Sequence, residues 1–317
     1  MRCTFQSFIA ILIVHFCNPF SIFGQSISKI DSFWIRGDIK VTIDRPAHFL
    51  RTQNTIITFF ALPNGNSTEQ TMGKKMAPGD DWHFDIQHIR AQTCFIRKEL
   101  VNNNFVTIYL ENSYKSWPSW KQKHPDYKKE IPHLVDSLSA LIAKKNKAIY
   151  FNGHSGGGSF IFGYLAGITQ IPEYVKRISF IDSDYGYDSS YYPKISNWLK
   201  NVSGTYLTVF AYNDSIALYN GKPLVSATGG TWYRSHLMLK HLQEEYTFSQ
   251  TNTDSLILFR NNNKRIQFFF KLNFNQGIYH TQQVELNGFI HSVLCGTKFD
   301  SKRYSYYSTR AYNQFIQ

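Results

Sequence analysis

Cysteine is scarce in this chain, with four in 317 residues. Two of them, Cys3 and Cys17, fall in an N-terminal stretch that reads as a leader. The other two, Cys94 and Cys295, cannot build a disulfide scaffold or a Cys-rich zinc site, so the core must be hydrophobic. In an oxidising compartment they could pair, which their separation allows without requiring. Long apolar runs are missing after the leader: each is broken by charge within about ten residues, which leaves no candidate for a spanning helix. Acids are outnumbered, 22 against 34 Lys and Arg, for a formal charge of +12. That excess is scattered, with no Lys/Arg block and no basic-aromatic repeat, which argues against nucleic acid as a partner. No Gly-x-Gly-x-x-Gly opens an early strand and no Gly loop leads into a Lys-Ser/Thr pair, so nucleotide cofactors are not expected. His83 and His88, with Asp80, Asp81 and Asp85, lack the spacing of a His-Glu-x-x-His metal site and read as a helix with solvated acids. No carboxylate pair is singled out for glycoside chemistry. Neither metal nor cofactor is expected.

Apolar residues are plentiful, at 43% hydrophobic and 16% aromatic, enough for a full core in one large domain. Arg2 followed by Phe8-Ile9-Ala10-Ile11-Leu12-Ile13-Val14 has the charged start and short apolar centre of a secretory signal, with cleavage expected near Gly24-Gln25. His15-Phe16 ahead of Cys17 lacks the small residues of a lipobox, which argues against a lipid anchor. The expectation is residues 1–24 as signal peptide and residues 25–317 as one exported domain with no stable membrane insertion. Its basic surface suits anionic partners such as acidic glycans, or simple solubility.

Alternation around Gly37-Asp38 predicts an antiparallel strand pair over residues 27–43. A nearly continuous apolar run at residues 55–62 predicts a strand buried on both faces, and residues 105–110, 148–152, 177–182 and 206–212 read as further strands. Between them lie helical patterns at residues 81–100, 130–145, 193–202 and 232–246. Strands alternating with helices imply a mostly parallel sheet covered on both sides. Small hairpins are expected at residues 217–225 and 283–291, and late strands at 256–259 and 266–270. Residues 114–121 fit a loop over a pocket mouth, in which Trp117 and Trp120 either stack on sugar rings or, as is commoner, pack the loop down.

The organising stretch is the strand Ala148-Ile149-Tyr150-Phe151-Asn152 running into Gly153-His154-Ser155-Gly156-Gly157 and then a helical pattern from Phe160. Strand, sharp turn and helix, with Ser155 at the turn, resemble the nucleophile elbow of the α/β-hydrolase superfamily. The resemblance implies an α/β-hydrolase fold with antiparallel N-terminal edge strands and small inserted hairpins. It further implies Ser155 as nucleophile and the Gly156 amide as one oxyanion donor. The second donor would come from the loop after residues 55–62, here Asn64, Gly65 and Asn66, although the His-Gly-rich sequence common there is absent.

The same resemblance orders the other partners as Ser, acid, His. Asp214, after the strand at 206–212, is the first choice of acid, with Asp182 and Asp184 in reserve. His291 is preferred as base because Asn287-Gly288-Phe289-Ile290-His291 resembles a Gly-containing base loop, and His280 is its rival. His236 and His241 lie in a helix and fit a structural role; His154 is given no chemistry. The resulting expectation is a serine esterase cleaving a small-molecule or glycan ester through an acyl-enzyme. A peptidase or lipase with the same triad, and a non-catalytic glycan binder on this scaffold, are the alternatives.

Overall fold

The computed structural model describes residues 28–317; the expected signal peptide, with Cys3 and Cys17, lies outside the described residues. In chain order the strands are β1 (Ser28–Ile35), β2 (Ile39–Pro46), β3 (Asn54–Ala61), β4 (Asn103–Asn112), β5 (Lys147–His154), β6 (Val175–Ile181), β7 (Tyr206–Tyr212), β8 (Leu218–Tyr219), β9 (Lys222–Pro223), β10 (Phe248–Asn252), β11 (Leu256–Asn261) and β12 (Ile266–Lys271). The helices are α1 (Thr68–Met72), α2 (Ile89–Glu99), α3 (Trp117–Lys123), α4 (Tyr127–Ile142), α5 (Gly158–Gly167), α6 (Tyr192–Asn201), α7 (Thr231–Gln243), α8 (Gln282–Glu285) and α9 (Gly288–Leu294).

Ten strands form one sheet in the order β1-β2-β4-β3-β5-β6-β7-β12-β11-β10. From β4 through β12 the neighbours run parallel, whereas β1-β2-β4 at one end and β12-β11-β10 at the other are antiparallel. The central strands look continuously apolar because successive side chains serve opposite cores. Ile57, Phe59 and Ala61 of β3 enter the core under α4, α5 and α6, while Ile56, Phe60 and the following Leu62 enter the core under α2 and α9. On β7, Leu207, Val209 and Ala211 take the first side and Phe210 the second.

Three expectations are corrected. Residues 81–100 are not one helix: a short 3-10 turn, Trp82–Asp85, precedes α2, and His88 between them has a left-handed backbone (φ 45°). The break places the buried His88 ring against Asp85 (Nε2 to Oδ1 2.8 Å), whose carboxylate also receives Arg310 from the C-terminal tail. Residues 114–121 are largely helix α3, capped by Ser116, instead of a loop; Pro118 and Lys121 do border a cavity, and Trp117 and Trp120 pack the segment down into the core. Residues 283–291 are helical rather than a hairpin. Asn287, at φ 67°, joins α8 to α9, and its side chain bonds Ser305 O, Thr309 O and Ala311 N. An Asn-Gly pair suits a hairpin turn, but it equally suits a left-handed helix junction, and the tail decides between them.

Cys94 and Cys295 are buried thiols, not bridged to each other. No helix of the described residues is long and apolar enough to cross a membrane.

Candidate active site

The elbow forms as the strand-turn-helix pattern predicts. β5 ends at His154, Ser155 adopts φ 54°, and a short 3-10 turn, Ser155–Gly157, leads into α5. A left-handed backbone is costly for a residue with a Cβ and persists where surroundings over-determine it. Here the surroundings are the carbonyls of β3: a Cβ on Gly157 would lie 2.1 Å from Ala61 O. Only glycine lets the turn sit this close, and that contact holds Ser155 at the C-terminal edge of the parallel strands. Ser155 opens onto a cavity of about 490 Å³ lined by residues that include Asn64, Gly156, Phe162, Tyr185, Tyr191 and Lys121.

Of the three expected oxyanion residues in the loop after β3, Asn64 shares this cavity with Ser155 and Gly156. It also presses on Gly156, where a Cβ would fall 2.0 Å from Asn64 Oδ1. The Gly65 amide is already used, donating to Lys115 O at 2.8 Å. Asn66 is buried behind the loop with its Nδ2 unpartnered. Neither of these two lines the cavity, so of the three expected residues Asn64 alone is brought to Ser155.

His291 is not at the site. It lies on α9, 1% exposed, with Nδ1 2.9 Å from the Tyr304 hydroxyl and its ring stacked on Tyr306. Burial among Phe210, Phe269 and these tyrosines pushes its pKa down to about 3, and none of its contacts reaches Ser155. The helical path of residues 288–294 turns the ring inward under the sheet.

His280, on the loop between β12 and α8, is the histidine beside the elbow. Its ring stacks on His154 with centroids 4.5 Å apart, and His154 Nε2 lies 3.2 Å from His280 O. Burial drives His154 well below the usual histidine range, with the neighbouring His280 ring a smaller cause, so it is neutral and donates from Nε2 to His280 O. His154 therefore holds the loop that carries His280, a positioning role that its place before Ser155 did not reveal. Asn273 braces the same loop, donating to Gly277 O and Asn213 O.

The carboxylate that meets His280 is Asp182, not Asp214. Asp182 follows β6 with φ 47° and is fully buried. One oxygen pairs with His280 Nδ1 and the other accepts from the Thr231 hydroxyl. Asp214 does follow β7 as expected, but it caps α7, accepting from Thr231 N at 2.7 Å and Trp232 N at 3.3 Å. Burial, with the Asp182 charge second, raises Asp214 to about 6 against those helix amides. Asp184 is buried, accepts from the Ser235 hydroxyl, and is pushed well above the usual carboxylate range by burial. The three acids thus form one buried cluster behind the cavity in which Asp182 alone touches a histidine. Thr231, which links Asp182 to Asp214, carried no sequence signal beyond its place at a helix start.

A mostly parallel sheet with helices on both faces, a left-handed serine between strand and helix, and a His-Asp pair beside it define the α/β-hydrolase fold. No family model and no curated protein matches this sequence. Among solved structures, one described as FAE is 10% identical, covers 89% of this chain and 92% of its own, and has a TM-score of 0.51. A feruloyl esterase module from Clostridium thermocellum, in complex with sinapinate, is 11% identical with 84% and 90% covered and a TM-score of 0.48. An acetyl xylan esterase from Aspergillus awamori is 10% identical with 77% and 93% covered and a TM-score of 0.43.

Proposed function

We propose that this chain is an exported serine hydrolase acting on ester bonds, with Ser155 as nucleophile, His280 as general base and Asp182 as the orienting acid. The observation that carries the reading is the His280-Asp182 pair packed beside a strained Ser155 elbow. An Nδ1 committed to Asp182 leaves His280 Nε2 for the Ser155 proton as Oγ adds to the ester carbonyl. Electron density moves to the carbonyl oxygen, and its stabilisation is assigned in this proposal to the Gly156 amide, in the turn before α5, and to Asn64. Collapse expels the alcohol, which takes the proton from His280. Water, activated by the same histidine, then releases the acid and restores Ser155. Asp182 keeps its charge throughout and steadies the imidazolium.

Ester as the bond cleaved is part of this proposal: a Ser-His-Asp site cuts esters and peptides alike, and the assay below separates them. Export rests on the leader at residues 1–24, and a mature N-terminus at Gln25 in the secreted protein would support it. The catalytic reading is tested by intact-mass labelling with a fluorophosphonate. Wild type should take one adduct, Ser155→Ala none, and His280→Ala should label at least a hundredfold more slowly. Unchanged labelling in His280→Ala would overturn the base assignment. Failure of folded wild type to label, while a smaller phosphonate also fails, would favour a non-catalytic binder. Hydrolysis of a matched aryl ester but not the amide would settle the bond type.

A further inference from the structure

The cavity at Ser155 has one charged residue in its lining, Lys121. It projects from α3, and its ammonium stands 5.3 Å over the Tyr127 ring. Burial is the sole influence that shifts Lys121, lowering its pKa, and among the described residues no carboxylate lies within ion-pair distance of it. The neighbouring helix makes room for the stem: a Cβ on Gly163 of α5 would lie 3.3 Å from Lys121 Cδ and 2.5 Å from Ile131 Cδ1. Other lysines show what an ordinary partner looks like, as with Lys40 on Glu69 and Lys74 on Asp80, both at 2.6 Å. A partly desolvated ammonium without a counter-ion costs free energy, and a site recovers it when a bound molecule supplies the negative charge. Phe162, Tyr185 and Tyr191 give the same cavity flat apolar walls.

We infer that the substrate carries an anionic group, a carboxylate on either its acyl or its alcohol part, which seats against Lys121 while an aromatic or other flat portion lies between Phe162, Tyr185 and Tyr191. The inference rests on the proposed ester hydrolysis for turnover, though not for binding. Lys121 is then a specificity residue, and the chain's net charge of +12 adds long-range attraction for the same ligands.

Two matched pairs test it: 4-acetoxybenzoate against its methyl ester, with the charge on the leaving phenol, and the 4-nitrophenyl monoester of succinate against its methylated form, with the charge on the acyl side. The readout is the anion-to-neutral ratio of kcat/KM within a pair. In Lys121→Met that ratio should fall at least tenfold for one pair, the loss expected of a charge-assisted hydrogen bond. Lys121→Arg should restore much of it, and Lys123→Met, on the exposed side of the same helix, should leave it where wild type has it. Which pair responds places the anion on the alcohol or the acyl side. Independently of turnover, calorimetry on Ser155→Ala should show tighter binding of 4-hydroxybenzoate than of its methyl ester if the alcohol side carries the anion, or of succinate than of monomethyl succinate if the acyl side does, and Lys121→Met in that background should erase the difference. Ratios equal in wild type and Lys121→Met for both pairs, or no anion preference in either readout, overturn the inference. Anion-selective binding without turnover or fluorophosphonate adduct would sink the catalytic reading and leave the anion site standing.

Discussion

Asp182 and Asp214 are both buried acids at the ends of adjacent strands, and replacing each by Asn separates their roles. In Asp182 the two carboxylate oxygens accept from two different donors, the His280 ring and the Thr231 hydroxyl. An Asn keeps the volume but has one acceptor and one donor end. If its oxygen stays on Thr231, its amide N–H points at His280 Nδ1 and selects the tautomer protonated on Nε2, which cannot take the serine proton. If it flips, the amide hydrogens face the Thr231 hydroxyl, and the negative charge behind the imidazolium is lost all the same. A loss in kcat of about 10⁴, or roughly 5 kcal/mol of transition-state stabilisation, is the expectation for that defect. Asp214→Asn retains an acceptor for Thr231 N and has no contact with His280, so kcat should stay within about tenfold. The assay is steady-state hydrolysis of an aryl ester whose turnover vanishes in Ser155→Ala, with thermal melts to show that both variants fold. The rate of fluorophosphonate labelling is a second readout that needs no knowledge of the natural substrate. Near-normal kcat in Asp182→Asn, with a collapse in Asp214→Asn, would refute the assignment and return the acid to the end of β7.

Asp214 also makes stability depend on pH. Its ordinary pKa of 3.8 rises to about 6 in the folded chain, so the native state binds its proton more tightly than the unfolded state does. Stability from this group is complete below about pH 4 and declines as pH rises through 6, by roughly 3 kcal/mol in all. Urea unfolding at pH 4, 5, 6 and 7 should show that decline in the difference between wild type and Asp214→Asn; a difference that stays constant across the range would contradict it. The Arg97-Asp44 pair, both side chains 0% exposed and 2.8 Å apart, predicts that Arg97→Met costs about 3 to 5 kcal/mol, because a buried carboxylate is left without its partner. Replacing both residues with apolar ones should recover much of the loss, and equal losses in the single and double variants would count against a charge mechanism.

The parts of the fold that were readable from the sequence are those where local pattern and tertiary demand agree. β3, the centre of β4 and β7 are mainly apolar because both faces are covered, and the Ser155 turn is flanked by the glycines that its close packing requires. β10 was missed because Phe248-Ser249-Gln250-Thr251-Asn252 is an edge strand with four exposed residues, leaving no buried face to produce a pattern. That the histidine beside the elbow is His280 and not His291 is hidden from the sequence for a related reason. His280 sits on an irregular loop without periodicity, while His291 follows Asn287-Gly288, a pair that serves turns and helix junctions alike. What places His280 is contact with His154 and Asp182, 126 and 98 residues away in the chain. The expected acid was displaced by Thr231, whose backbone takes Asp214 as a cap and whose hydroxyl turns to Asp182. That arrangement depends on where α7 begins in space.

Thr231 also constrains how the two acids share charge. Its hydroxyl has one proton to donate; it makes its close contact with Asp182, and Asp214 Oδ2 stands farther off at 3.2 Å. A hydroxyl pointed at Asp182 turns its lone pairs toward Asp214, which is tolerable when Asp214 holds a proton of its own and unfavourable when it does not. Burial raises Asp214 toward about 6, so the cap is protonated in mildly acidic solution and ionised near neutrality. Once ionised, it adds negative charge behind Asp182 without touching His280. In the proposed mechanism that charge favours the imidazolium formed as Ser155 attacks, while it costs the fold stability. The site and the fold therefore pull in opposite directions on the same carboxyl, with the helix amides of Thr231 and Trp232 offsetting part of the cost. An acid with no contact to the base can in this way follow catalysis in its pH dependence and still be dispensable for the chemistry.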